Sequence, residues 1–279
     1  VEAGVAFSQD GRPRAGMGCD AGDFDGSGRP GIVLGNFTNE MIALYRNEGQ
    51  GLFTDVAAST AIGRSSATLL TFAAFFVDYD LDGLLDVFAV NGHVSDDISV
   101  VQPQTKYAQP SLLFRNAGDG RFDDVSRSVG AALQRSIVGR GAAFGDVDND
   151  GDLDLVVMEN NGPARLLRND GGNRNNALRL RLVGSTSNRD GIGATVTLAT
   201  SAGRTIRRTV RSGSSYCSQS ELPLVFGLGT ADKAATVEIA WPSGRVERYA
   251  DLPANTSFVV QEAVGVTSSQ PLLTQSRSQ

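Results

Sequence analysis

Three short stretches of the chain carry carboxylates at alternating positions. The clearest is GDVDNDGDLD, where Asp146, Asp148 and Asp150 alternate, Gly151 follows and Asp154 closes the run. Side chains at positions 1, 3 and 5 of such a loop turn inward together and wrap one hard cation. Gly151 supplies the backbone freedom that the tight turn needs. Position 7, Asp152, is expected to offer its carbonyl. Oxygen ligands in a flexible cage favour Ca2+ over zinc or copper. The loop shares the first half of an EF-hand, D-x-[DN]-x-[DN]-G, but lacks the acid at position 12. Asp154, at position 9, takes the closing role.

A second loop, DYDLDGLLD, repeats the pattern with Asp78, Asp80, Asp82, Gly83 and Asp86, and puts Leu84 at the carbonyl position. A third is degraded: Asp23 and Asp25 are present, but Ser27 stands at position 5 and Gly31 at position 9. Polar Asx turns would account for one such loop. Two complete ladders in register with a larger repeat argue for Ca2+. The expectation is two well-formed calcium sites and one weak one.

These loops hold eleven of the 31 acidic residues. Without them the chain has 20 acids against 25 bases, so its net charge of −6 is local to the loops. A net acidic chain does not suit nucleic acid, which needs a basic face. One histidine and two cysteines leave no basis for a zinc site or a disulfide scaffold. The longest apolar stretch, residues 67–77, is too short to span a membrane. The chain begins at Val1 and offers no signal peptide to read.

The loops belong to a larger repeat. Each is followed by an apolar run, GIVLGN, DVFAVN or DLVVMEN, and then by LYRNEGQGLFTDVA (44–57), LFRNAGDGRFDDVS (113–126) or a shorter LRNDGG. First-Asp positions 23, 78 and 146 give spacings of 55 and 68, the longer one carrying an insertion over 91–111. The runs are β-branched and bounded by Gly, Asn and Asp, with no sustained helical stripe. Four short strands fit each unit, as in a propeller blade. After residue 174 the pattern changes to longer alternating strands such as LRLRLVG (178–184) and TVEIAWPSG (236–244), expected to form a sandwich. Residues 264–279 are rich in Ser, Thr and Gln and are expected to be a polar tail.

The loops with their LYRN and LFRN segments resemble FG-GAP/VCBS-type repeats. SNRDGIGATVTL (187–198), RSGSSYCSQSELPLVFGLG (211–229) and VEIAWPSGRVE (237–247) resemble the ASPIC/UnbV domain. The combination is that of cartilage-acidic-protein-like and related bacterial secreted proteins, and the likeness covers residues 4–262. It implies an all-β fold: a partial β-propeller of about three blades (14–58, 67–128 and 138–174, within 1–174), then a β-sandwich-like domain over 175–263. It also implies secretion to the extracellular space or cell surface, calcium binding, and a role in adhesion or extracellular structure. It implies no defined catalytic activity. Loop 1 departs from the family pattern in lacking its closing Asp. Cys19 and Cys217 stand where the family has apolar residues. Three blades are also too few to close a propeller, which takes four to eight.

Several single residues leave alternatives open. Cys19 and Cys217 either pair in an oxidising compartment or stay free and buried. His93 is expected to be a structural hydrogen-bonder, and Trp241 a core residue of the C-terminal unit. No spacing marks a Ser/His/Asp triad and no G-x-S-x-G elbow occurs, so the chain is not expected to be an enzyme. The leading expectation is a secreted, calcium-binding structural or adhesion protein. Its partners are proteins, copies of itself among them, joined by strand donation at open sheet edges. The alternative is a ligand- or carbohydrate-binding module of a longer propeller protein.

Overall fold

The structure, a computed structural model, describes residues 2–8 and 11–273. It is all-β. It has five sheets in a propeller-type arrangement; the first three follow one another along the chain, and the last two share the remaining strands between them. The first is an antiparallel meander of β1 (Cys19–Gly22), β2 (Gly31–Leu34), β3 (Ala43–Gly49) and β4 (Leu52–Asp55). The second repeats it with β5 (Thr71–Val77), β6 (Asp86–Asn91), β7 (Leu112–Gly118) and β8 (Arg121–Asp124). The third has three strands: β9 (Gly139–Gly145), β10 (Asp154–Glu159) and β11 (Arg165–Leu167).

The repeat explains the local structure. In each blade the aspartate loop joins the first strand to the second; the Arg-Asn segment lies on the third strand in the first two blades and directly after it in the third. The β3–β4 and β7–β8 hairpins turn on Gln50-Gly51 and Asp119-Gly120, all four residues at positive φ. That is the backbone of a type I′ turn, whose twist matches the strands it joins. β5 and β6 are buried along their whole length because the middle blade is covered on both faces. Alternate residues divide between the two interfaces, as a period of two requires. Ala74, Phe76, Val87 and Ala89 pack toward Phe24, Val33 and Leu44 of the first blade. Ala73, Phe75, Phe88 and Val90 pack toward Ala142, Leu155 and Val157 of the third. Each buried phenylalanine adds roughly 1.5–3 kcal/mol.

Eight strands follow: β12 (Asn176–Val183), β13 (Thr195–Thr200), β14 (Thr205–Thr209), β15 (Leu224–Gly229), β16 (Lys233–Ala240), β17 (Val246–Pro253), β18 (Thr256–Gln261) and β19 (Gly265–Pro271). They form two sheets, ordered β15-β12-β18-β19 and β14-β13-β16-β17. One core lies between them, built on Leu178, Leu180, Val196, Phe226, Ile239 and Trp241. Ala177, Val225 and Leu272 belong instead to the core shared by the second and third blades. The C-terminal sheets are therefore tied into the repeats through apolar packing.

Two stretches differ from the sequence expectation. The segment from residue 264 is not a tail up to 271: β19 pairs with β18, and Leu272 is buried against Gly151 of loop 3. Residues 274–279 lie outside the described residues. The insertion over 91–111 carries a four-residue helix (Ile98–Val101) whose Val100 and Val101 are exposed. Among the described residues no helix is long and apolar enough to cross a membrane.

Candidate metal centres

Loops 2 and 3 each gather three carboxylates. Oxygens of Asp78, Asp80 and Asp86 lie within 4.8 Å of one another, and so do those of Asp146, Asp148 and Asp154. These are positions 1, 3 and 9 of each loop. The ninth position is doubly anchored. Asp86 accepts from Tyr79 N at 3.1 Å and from Asn116 N at 2.7 Å. Asp154 accepts from Val147 N at 3.0 Å and from Asn169 N at 2.8 Å. The closing acid thus ties its loop to the Asn of its own blade's third-strand segment. Oxygens at positions 1 and 3 are left over: Asp78 Oδ1, Asp80 Oδ1 and both oxygens of Asp146 are buried without a hydrogen bond. Unpartnered buried carboxylate oxygens are costly, and a bound hard cation satisfies them. The donor set therefore fits Ca2+.

Position 5 does not join either group, contrary to the alternating-ladder expectation. Asp82 Oδ1 accepts from Leu84 N at 2.8 Å, and its Oδ2 faces Arg115 Nη2 at 3.6 Å. Asp150 accepts from Asp152 N at 3.2 Å and from Asn173 Nδ2 at 2.6 Å. Asp152, expected to lend only a carbonyl, buries its carboxylate. One oxygen accepts from Asn173 N at 3.0 Å, and Oδ1 has no partner. In loop 1, Asp23 accepts from Gly28 N and Asp25 from Ser27 N. Among the described residues no third acid joins them.

Burial raises the pKa values of these groups. It pushes Asp78 up to about 7, against the nearby Arg208 and with the help of Asp82 and Asp80. Burial, reinforced by Asp78, holds Asp86 well above the carboxylate range. Burial pushes Asp152 up to about 8. Asp146 is also raised by burial, against the pull of Arg179. Clusters in this state favour either protons or a cation.

Comparison with known families agrees with the repeats and loops. The model for the FG-GAP-like repeat matches residues 23–89 and 90–157, and the model for ASPIC and UnbV matches residues 184–267. The chain is an FG-GAP-repeat protein with a C-terminal ASPIC and UnbV domain. It is 27% identical over 252 residues to cartilage acidic protein 1 of Homo sapiens, covering 88% of this chain and 36% of that protein. It is 28% identical over 251 residues to the protein of the same name in Mus musculus, covering 88% and 36%. The Xenopus tropicalis protein of that name is 27% identical over 236 residues, covering 83% and 34%. The chain spans about a third of the length of these relatives.

The ASPIC and UnbV domain supplies residues that the loop motifs did not reveal. Four arginines on and beside β14 reach the FG-GAP repeats. Arg204 Nη1 donates to Asp82 O at 2.8 Å, and Arg207 Nη1 to Gly28 O at 3.1 Å. Arg208 Nη2 stands 3.9 Å from Asp78 Oδ2, and Arg211 Nη2 pairs with buried Asp20 at 2.7 Å. From β12, Arg179 comes within 4.0 Å of Asp146 while pairing with Glu221. The first acid of each complete loop therefore faces an arginine. The run RTIRRTVRSG (204–213) held the signal, since a strand so rich in arginine asks for acidic partners.

The remaining singled-out residues take structural places. His93 is buried, accepts from Ser95 N at 3.1 Å through Nδ1, and meets Phe37 edge-on. Trp241 packs in the core between the C-terminal sheets. Cys19 and Cys217 are both free and both exposed, so neither the pair nor the buried alternative is what the structure contains. Cys19 instead bridges through its backbone to Ser215.

Proposed function

We propose that this chain is an extracellular, calcium-stabilised binding protein that works through protein–protein assembly and not through catalysis. The observation that carries this is the convergence of Asp78, Asp80 and Asp86, and of Asp146, Asp148 and Asp154, with buried oxygens left without donors. Ca2+ would be held by those six carboxylates. Its role is to neutralise charge at the turn between a blade's first two strands, and so to lock the loop that Asn116 or Asn169 then grips. Loop 1, with two acids, is the weak third site. The relatives' name, with its mention of cartilage, supports a place outside the cell.

We read residues 1–174 as three blades and 175–263 as a sandwich. The shared core between the last two sheets supports this division. The three-stranded third blade supports strand donation between copies, because β11 has no fourth strand beside it among the described residues. Thermal unfolding tests the calcium reading: chelation should lower the midpoint and added Ca2+ should restore it. An unchanged midpoint would refute it.

A second reading has its own support. The chain covers 36% of the human relative, as a module of a longer protein would. A cavity of about 150 Å³ lies between the blades and the C-terminal domain, lined in part by Asp23, Phe76, Phe144, Arg207, Arg211 and Glu221. A small ligand, a carbohydrate included, would sit there. Soaking with a panel of simple sugars, read by chemical-shift changes at those residues, distinguishes the two.

A further inference from the structure

We propose that the cavity between the blades and the C-terminal domain takes a small carboxylic acid with an apolar body, held by its carboxylate on Arg208. The proposal rests on the small-ligand reading above and names the ligand class. Size and walls set the body. The cavity is about 150 Å³, and a void of that order holds a molecule of about benzene's size. Phe76, Leu85, Phe144, Leu153 and Val225 are among its lining residues. Against those side chains a sugar's hydroxyls find no partners, and a buried hydroxyl without a hydrogen bond is costly. An aromatic ring or a branched aliphatic chain loses nothing there.

An unmet donor sets the head group. Arg208 lines the same cavity, and its side chain is 11% exposed. Its Nη1 donates to Arg207 O at 3.1 Å. Its Nη2 is buried without a hydrogen bond. Asp78 Oδ2, 3.9 Å away, does not supply one and instead accepts from Gly83 N at 3.1 Å. A buried guanidinium nitrogen without an acceptor is costly, and a carboxylate accepts from it with the help of opposite charge.

The charges around the cavity point the same way. Among the described residues, Arg207, Arg208 and Arg211 line it together with Asp23, Asp78 and Glu221. Arg211 pairs with Asp20, and Glu221 pairs with Arg179, both partners set outside the lining. That leaves Arg207 and Arg208 against Asp23 and Asp78. Ca2+ on loop 2 would take up the charge of Asp78, and one arginine of the wall is then unmatched. A ligand carboxylate matches it. A neutral ligand does not, and an ammonium ion adds to the excess.

The test is titration of the protein in Ca2+ with benzoate and with benzamide, its neutral counterpart of the same shape, read by chemical-shift changes at Phe76, Phe144 and Val225. Benzoate should give saturable shifts at those residues, and benzamide should bind about tenfold more weakly or less. Arg208→Gln should weaken benzoate by about tenfold or more and leave benzamide unchanged. The comparison of the two probes on the wild-type protein stands whether or not that variant folds. Benzamide that binds as tightly as benzoate, or a folded Arg208→Gln that binds benzoate as the wild type does, overturns the carboxylate anchor and leaves the small-ligand reading standing. Shifts from glucose with none from benzoate do the same. No shifts from benzoate, benzamide or glucose overturn both.

Discussion

Arg208 of the C-terminal domain stands 3.9 Å from Asp78, the first acid of loop 2, and both side chains are withdrawn from solvent. Burial lowers the arginine's affinity for its proton and raises that of the carboxylate. Arg208 Nη2 and Asp78 Oδ1 both lack hydrogen bonds. The two groups offset each other's charge without satisfying each other. A cation on Asp78 therefore completes the site from the other side.

Removing the guanidinium should expose this dependence. Arg208→Gln leaves Asp78 buried without its neighbour, and breaking such a pair costs about 3 kcal/mol or more. The loss should be largest in chelator, where no cation compensates. Urea midpoints with and without Ca2+ measure the difference.

The raised carboxylates set a pH dependence with a definite sign. Asp78 is pushed up to about 7 and Asp152 to about 8, each chiefly by burial, from an ordinary value of 3.8. Between about pH 4 and pH 8 the chelated folded protein binds more protons than the unfolded chain. Its stability should therefore fall as pH rises across that window. Ca2+ takes the place of the protons. Denaturation midpoints at pH 5 and pH 8 should show the higher value at pH 5 in chelator, and no such drop at pH 8 in Ca2+.

Positions 1 and 5 of loop 3 should not be equivalent. Asp146 belongs to the converging group, whereas Asp150 is engaged by Asp152 N and Asn173 Nδ2. Asp146→Ala should abolish binding at that loop. Asp150→Ala should weaken it and leave the site countable. Calorimetric titration of the two variants separates them, and equal loss in both would restore the simple ladder.

Asn116 is the clasp between the first two blades. It is fully buried and bonds Phe24 O, Leu85 O and Gly118 N. Asn116→Ala leaves buried carbonyls unsatisfied and should cost roughly 2 kcal/mol or more. Amide exchange should quicken at the loops around Phe24 and Leu85 before it does in β12.

The repeat made much of the fold legible. The two copies of its Arg-Asn segment fold alike, each with a type I′ turn, at Gln50-Gly51 and at Asp119-Gly120. The acids at positions 1, 3 and 9 converge as their spacing implies. Position 5 of loop 3 was not legible, because Asp150's partner Asn173 lies past the point where the third repeat departs from the pattern. Nor were the arginines, since Arg204 and Arg208 reach loop 2 from more than a hundred residues away. β19 was hidden for another reason. It is an edge strand, GVTSSQP, exposed along nearly its whole length, so no apolar alternation marks it.

Calorimetric titration of the chelator-stripped protein with Ca2+ near neutral pH tests the central claim most directly. The account predicts binding at the two converging groups, Asp78, Asp80 and Asp86 and Asp146, Asp148 and Asp154, with proton release. A third, weaker event at Asp23 and Asp25 would follow at higher concentration. A protein that takes up no Ca2+, with no heat and no protons released, would contradict it.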